Sequence, residues 1–497
     1  MKYSSKSPPA EPGRAFALRR SEAPGASTRS HAATPARGAL ASLSLTMLLS
    51  SLGTSIANVG LPTLAQAFHA PFQQVQWVVL AYLLAITTLI VSVGRIGDLL
   101  GRRRLMLGGI ALFTVASVLC ASAASLWQLV AARALQGLGA AVMMALTMAM
   151  VGEAVPKAKA GSAMGLLGTM SAVGTAMGPT LGGVLIAAVG WQAMFLVNLP
   201  LGLLALAMVW RYLPVDGSSG SAGRAGFDLA GSLVLVFVLA AYALSMTTGR
   251  GNFGVVNLTL LLVAALGVGL FVRIESRAPS ALLRPALFQD PVLRAGFMMS
   301  ALVTTVVMAT LVVGPFYLAG ALGLGAAGVG LVMSSGPVVA ALTGVPAGRA
   351  VDRFGAAAMT MAGLLTMAVG TLLLALLPAS LGAAGYVLAL VVTTAGYATF
   401  QAANNTAVMA DVRADQRGVV SGLLNLSRNL GLITGAAVMG AVFAFGSSAA
   451  AQGLPRPLAA ARGMQLTFAV ATLLIVMALA IAGVQRMRAR RMAVASR

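Results

Sequence analysis

The chain has 497 residues, 59% of them hydrophobic and 9% charged, with a net charge of +22. A water-soluble globular domain carries roughly 25% charged residues, so the composition excludes one. Solid apolar runs in place of weakly alternating strands exclude a transmembrane barrel. The surplus of Lys and Arg lies in tails and short segments between apolar runs, which points to membrane orientation and away from nucleic acid.

Residues 1–38 are polar, basic and rich in Pro, Ala and Ser, and they read as a disordered cytoplasmic tail. A secretory signal has an apolar core of about 7–15 residues; here the tail is longer and the next run is a full span, so an uncleaved first helix is expected. A transit peptide is the competing reading on composition. Fourteen candidate spans follow, at 40–66, 75–93, 105–124, 127–151, 162–188, 193–212, 229–248, 254–273, 295–320, 326–346, 357–377, 381–408, 418–445 and 463–485. Each is long enough to cross a hydrocarbon core of roughly 30 Å.

The first span contains SLGTSIANVGLP at 51–62, where Ser51, Thr54, Ser55 and Asn58 fall at i, i+3, i+4 and i+7 and share one helical face. Thr54, Ser55 and Asn58 are expected to face an interior cavity; packing against a neighbouring helix competes for Ser51 and Ser55. The second span carries Tyr82 and is followed by Gly94-Arg95-Ile96-Gly97-Asp98-Leu99-Leu100-Gly101-Arg102, read as an inner loop. In the fourth span Arg133 has Gln136 three residues on, and Glu153 closes it. The fifth has Gly174, Gly178, Pro179, Gly182 and Gly183, small residues that allow close helix contact, with a proline that bends the helix. Gln401, Asn404 and Asn405 lie in the inner half of the twelfth span, and Asn425 and Arg428 lie in the thirteenth. Charges buried in a bilayer are costly, so Arg133 and Arg428 are expected to face the interior. Arginines bonded to backbone carbonyls, or asparagines knitting helices together, are the competing readings.

Placing the N-terminus inside puts 28 of 33 Lys and Arg in tails and inner loops and three in outer loops, a positive-inside pattern. All eleven acids then fall in inner tails, inner loops or inner helix ends, and no carboxylate lies at mid-membrane. Two interior cations without an interior acid make the cavity electropositive, which suits neutral or anionic substrates better than lipophilic cations. The single cysteine, Cys120, excludes an intrachain disulfide. Neither a metal nor a cofactor is expected, and no Ser/His/Asp set or phosphate loop in the spans suggests an enzyme.

The sequence repeats itself. GRIGDLLG at 94–101 and GRAVDRFG at 348–355 share G-R-x-x-D-x-x-G at an offset of 254, placing Asp352 opposite Asp98. GSAMGLLGTMSAVGTAMG at 161–178 and GVVSGLLNLSRNLGLITG at 418–435 share four glycines and two leucines at an offset of 257. Residues 39–213 and 291–486 are therefore read as related six-helix halves. Residues 214–290 form a linker with two inserted spans, and 487–497 a basic cytoplasmic tail. Two six-helix halves holding substrate at their interface are the plan of rocker-switch transporters.

The loop at Gly94–Arg104 resembles the signature loop of the major facilitator superfamily. Arg133-Ala134-Leu135-Gln136-Gly137 resembles its buried-arginine motif, and Gly174-x-x-x-Gly178-Pro179-x-x-Gly182 its antiporter-associated motif. WQAMFLVNLPLG at 191–202 and FDLAGSLVL at 227–235 extend the likeness to the fourteen-helix drug:proton antiporter branch. The resemblance implies an all-α polytopic membrane protein and an exporter working by alternating access, in a bacterial inner membrane with both termini cytoplasmic. It implies a cytoplasmic latch at Asp98, which pseudo-symmetry sets near Arg417 and Gly418, with Asp352 near Lys159 and Gly161. A monomer with small-molecule substrate, lipid and coupled protons as partners is expected. One position departs from that branch: its first helix usually has an aspartate where this chain has Gly53. A metabolite uniporter or anion symporter of the same fold is therefore the alternative, and a non-transporting membrane receptor or enzyme is the third reading.

Overall fold

The computed structural model describes residues 33–154, 160–213, 229–247, 254–275, 290–410, 412, 417–451 and 455–495. All regular structure in these segments is helical. The helices are α1 Ala33–Ala67, α2 Trp77–Leu100, α3 Arg102–Ala121, α4 Leu126–Ala154, α5 Ala160–Ala188, α6 Asn198–Tyr212, α7 Leu229–Thr247 and α8 Val255–Glu275. They continue with α9 Pro291–Gly320, α10 Ala326–Phe354, α11 Ala356–Leu376, α12 Gly382–Met409, α13 Arg417–Ala451 and α14 Arg456–Ala495. Short turns of helix at Phe72–Val75 and Ala193–Leu196 precede α2 and α6, and a π-helical segment at Gly435–Met439 interrupts α13. Twelve helices are long and apolar enough to cross a membrane. Shorter apolar stretches at Val173–Ala188 in α5 and Leu233–Ser245 in α7 bring the total to fourteen among the described residues.

Two helix ends differ from expectation in the same way. The expected second span ended at residue 93 and the tenth at 346, yet α2 runs to Leu100 and α10 to Phe354. The repeated motif is thus mostly the last turns of a helix rather than a loop. Hydropathy marks the part of a helix that lies in hydrocarbon, whereas the backbone ladder continues until a residue stops it. That residue is the motif's final glycine in both copies: Gly101 has φ 90° and Gly355 φ 82°, a region L side chains rarely enter. The next helix starts immediately after each. Equal turns at an offset of 254 carry the sequence repeat into the backbone.

The packing repeats as well. In the first half α1 packs on α5 and α6, α4 on α2 and α3, and α3 on α6. In the second, α9 packs on α13 and α14, α12 on α10 and α11, and α11 on α14. Helices α7 and α8 pair with each other, and α7 leans on α2. Between the halves, α5 meets α10, α2 meets α13 and α1 meets α9. This is the major facilitator fold: two pseudo-symmetric six-helix halves with two inserted central helices.

The apolar core is unevenly shared. One end of the bundle, here the near end, carries the Gly101 and Gly355 turns; the far end carries the connections at residues 68–71, 189–192 and 321–325. One buried cluster runs through both halves and includes Ile56, Val78, Val306, Val312 and Phe443. Two further clusters belong to one half each: one around Leu43, Val93 and Met106, the other around Leu293, Phe297 and Val408. Among the described residues, the two single-half clusters lie toward the near end, whereas the shared cluster takes in the far-end core of both halves and also Ala295, Phe400 and Ala482.

Candidate functional site

In α1 the polar stripe is largely turned onto neighbouring helices. Ser51 Oγ lies 2.8 Å from Ser171 Oγ, and Ser55 Oγ donates to the Gly174 carbonyl at 3.4 Å, both on α5. Thr54 donates to Tyr82 Oη at 3.4 Å and stays half-buried. Asn58 donates to the Thr54 carbonyl at 3.3 Å, while its buried Oδ1 accepts no hydrogen bond among the described residues.

Those α5 contacts depend on its glycines. A Cβ at Gly178 would stand 1.9 Å from Ser55 Oγ, one at Gly174 2.4 Å from the Leu48 carbonyl, and one at Gly182 2.8 Å from Val59 Cγ1. In the second half a Cβ at Gly431 would meet the Ala301 carbonyl at 2.3 Å, and one at Gly435 the Thr305 carbonyl at 2.4 Å. The same glycine rows seat α5 on α1 and α13 on α9. Gly183 faces the other way: its Cβ would lie 2.6 Å from the Ala326 carbonyl and 3.0 Å from Gly330 Cα, both on α10. Next to it, the Thr180 and Ser334 hydroxyls hydrogen-bond across the halves.

Three aromatic rings seal the same end. Phe72 lies with its ring centroid 4.5 Å from that of Phe316 and 5.0 Å from that of Phe443. They come from the connection before α2, from α9 and from α13, so sequence reasoning had no pattern by which to group them.

Arg133 on α4 is fully buried. Its Nε donates to the Val78 carbonyl at 2.9 Å and its Nη1 to the Gly53 carbonyl at 3.2 Å and to Gln136 Oε1. The guanidinium carbon lies 4.0 Å from the centroid of the Tyr82 ring, a cation–π contact. Gln136 passes the network to Ser117 Oγ at 2.7 Å, and Tyr82 Oη donates to the Ser50 carbonyl at 3.0 Å. The arginine therefore reaches the backbone of residue 53. A Cβ there would meet Phe113 Cζ at 2.9 Å and Tyr82 Oη at 3.1 Å.

Arg428 on α13 has a different setting. It is half-buried, and its carbonyl accepts from Thr304 Oγ1, near the middle of α9, at 3.1 Å. With its amide oxygen turned to the guanidinium, Gln401 on α12 accepts from Nη2 at 3.0 Å and Nη1 at 3.1 Å, and donates to Tyr397 Oη at 3.1 Å. Amide orientation of this kind is assigned from the bonding network. Asn425, one turn back on α13, is exposed, and Asn405 is half-buried. Asn404 is buried and donates to the Gly296 carbonyl at 3.2 Å, tying α12 to α9. Tyr397 is the member of this group that the sequence did not single out.

Of the near-end motif, Gly97 is buried, and a Cβ there would lie 3.0 Å from Leu146 Cδ2 on α4. Arg102 is half-buried, and the neighbouring Arg103 donates to the Trp210 carbonyl on α6. Asp352 is exposed in the last turn of α10. The side chains of Gly94, Arg95, Asp98, Glu153, Arg417 and Gly418 lie outside what the structure describes, as do Lys159 and the side chain of Gly161.

Two six-helix halves, joined across their interface and holding polar side chains between spans, define a multi-pass membrane transporter rather than an enzyme. The chain belongs to the Major Facilitator Superfamily, which it matches over residues 43–436. It is 32% identical over 404 residues to the uncharacterized transporter YebQ of Escherichia coli K12, covering 81% of this chain and 88% of that protein. Multidrug resistance protein Stp of Mycobacterium tuberculosis H37Rv is 32% identical over 418 residues, with 80% and 76% covered. The fold is shared with an inward-facing, unoccupied bacterial homologue of the human lysosomal transporter Spinster. That likeness has a TM-score of 0.65 at 16% identity, covering 92% of this chain and 97% of the other.

Proposed function

We propose that the protein is an exporter of small amphipathic compounds or metabolites, of the fourteen-helix drug:proton antiporter branch, working by alternating access. The observation that supports this reading is where the halves join among the described residues. Gly183 against Gly330, Thr180 against Ser334 and the Phe72–Phe316–Phe443 cluster all sit at the far end. With the near end read as cytoplasmic from the positive-inside pattern, far-end closure is the state in which an exporter loads substrate from the cytoplasm. Multidrug resistance protein Stp as a relative and the glycine row of α5 support export. The pair α7 and α8, inserted after α6, supports the fourteen-helix branch.

In this reading both termini are cytoplasmic in a bacterial inner membrane and the working unit is a monomer. The functional parts are the tails 1–38 and 487–497, the halves 39–213 and 291–486, and the insertion 214–290. Thr54, Gln401, Asn405, Asn425 and Arg428 line the path, with the buried Asn58 and Tyr82 just behind it. Arg133 and Gln136 bias its potential from behind the wall, and Asn404 braces it. Asp98, Asp352 and Glu153 latch the near end when it closes. Protons, if coupled, use Asp98, Glu153 or the substrate itself.

Gly53 favours a second reading, a uniporter or anion symporter of the same fold, because no acid stands at that position in α1. Inside-out vesicles separate the two. A proton-coupled exporter collapses a preformed pH gradient when substrate is added, and a broad panel that leaves the gradient intact while still accumulating would establish the second reading.

A further inference from the structure

Two arginines lie within the spans, and their surroundings differ in kind. Arg133 is fully buried: its Nε and Nη1 bond two backbone carbonyls and Gln136, the guanidinium lies over the face of Tyr82, and the buried Nη2 has no hydrogen-bond partner among the described residues. It has the bonding of a structural cation. Arg428 bonds through its guanidinium to one neutral acceptor, Gln401, makes no ion pair among the described residues and remains half-exposed. A guanidinium has five N–H donors, and Gln401 accepts from two of its nitrogens, so donors are left over.

Lipid cannot be what those donors face. An arginine at the centre of a membrane helix costs about 2.5–3.5 kcal/mol even by the lenient insertion scales, and residue 428 sits beside Thr304 at the middle of α9. The exposed Asn425, one turn away on the same face, extends the polar stripe. Gln401 is itself held by Tyr397, so the acceptor that orients the fork is fixed before anything binds.

We propose that Arg428, oriented by Gln401 and Tyr397, is the recognition point for a carboxylate on the substrate, and that the protein moves amphipathic monocarboxylates. The inference rests on the transporter reading and names its substrate class. A planar fork matches a carboxylate with two parallel hydrogen bonds. The mid-span position supplies a low dielectric, in which that pairing is stronger than in water. All eleven acids of the sequence lie in tails, loops or helix ends, so the ligand brings the negative charge that the protein does not place there.

The test uses the purified full chain in nanodiscs with 2-naphthoate and its neutral isostere 2-naphthamide, comparing dissociation constants. The acid is expected to bind the wild type at least about tenfold tighter than the amide, the order expected for a hydrogen bond to a charged group. Arg428→Gln should bring the ratio below about twofold. Gln401→Glu should do the same while keeping the fold, since its carboxylate would occupy the fork as an internal ligand; a thermal unfolding midpoint at or above that of the wild type checks this. Arg428→Lys should retain part of the preference. Equal binding of acid and amide to the wild type, a preference that survives Arg428→Gln, or binding of neither compound would each overturn the proposal. Efflux of 2-naphthoate from liposomes is scored separately. Arg428-dependent binding without efflux would leave the carboxylate site standing and overturn the transport reading.

Discussion

Residue 53 is where a side chain would change the chemistry of the first half. Its carbonyl already accepts from Arg133, and the space beside its Cα is filled by Phe113 and the Tyr82 hydroxyl. A methyl group there must displace the Phe113 ring, so Gly53→Ala is expected to lower stability by about 1–3 kcal/mol, the usual cost of overpacking. Gly53→Asp meets the same crowding but sets a carboxylate beside a buried guanidinium, which offsets part of the cost. Thermal unfolding should therefore rank wild type, then Gly53→Asp, then Gly53→Ala. If alanine is the better tolerated of the two, Arg133 does not sense this position. Arg133→Lys is a separate case: an ammonium cannot reach both the Val78 and Gly53 carbonyls while lying over Tyr82. A loss of about 2 kcal/mol or more is expected from a buried carbonyl left without its donor, read as a fall in the unfolding midpoint.

At the scale of single helices, α5 has two faces with different duties. Gly174, Gly178 and Gly182 seat it on α1 within its own half, whereas Gly183 touches α10 in the other half. Gly178→Ala would drive a methyl into Ser55, and loss of folded protein is expected, measured as yield after size-exclusion chromatography. Gly183→Ala disturbs only the contact between halves, so the chain should fold while far-end closure weakens. Distances between spin labels across the far end should then shift toward longer values; an unchanged distribution would mean that Gly183 does not help hold the halves together. Much of this was legible in the sequence, because the glycine rows recur at an offset of 257 and small residues every four positions mark close helix contact. The extent of α2 and α10 was not, since hydropathy ends with the hydrocarbon and the helix does not. Nor could the sequence separate the two arginines: Arg133 and Arg428 look alike as cations in apolar runs, and only tertiary packing buries one among backbone carbonyls under Tyr82 and leaves the other half-buried beside Gln401.

For the whole molecule, the uneven core makes alternating access a testable geometric statement. The far end is held by apolar and aromatic contacts and by one hydroxyl pair, Thr180 with Ser334, with no ion pair between halves there among the described residues. Contacts of this kind have little directional strength beyond area burial and aromatic edge effects of about 0.5–1.5 kcal/mol per pair, so the closure can part during each cycle. The hydroxyl pair offers a way to prevent that. Its oxygens are hydrogen-bonded across the interface, which makes the two positions a candidate pair for a disulfide. Cys120 is the only native cysteine and is buried away from the interface on α3, so a background with Cys120→Ser is silent. In that background Thr180→Cys with Ser334→Cys should cross-link on oxidation. Transport in liposomes should stop when the bond forms and return on reduction, while either single variant keeps working under both conditions. Full cross-linking with transport undiminished would mean that the far end never has to open, and substrate would then follow another route through the protein.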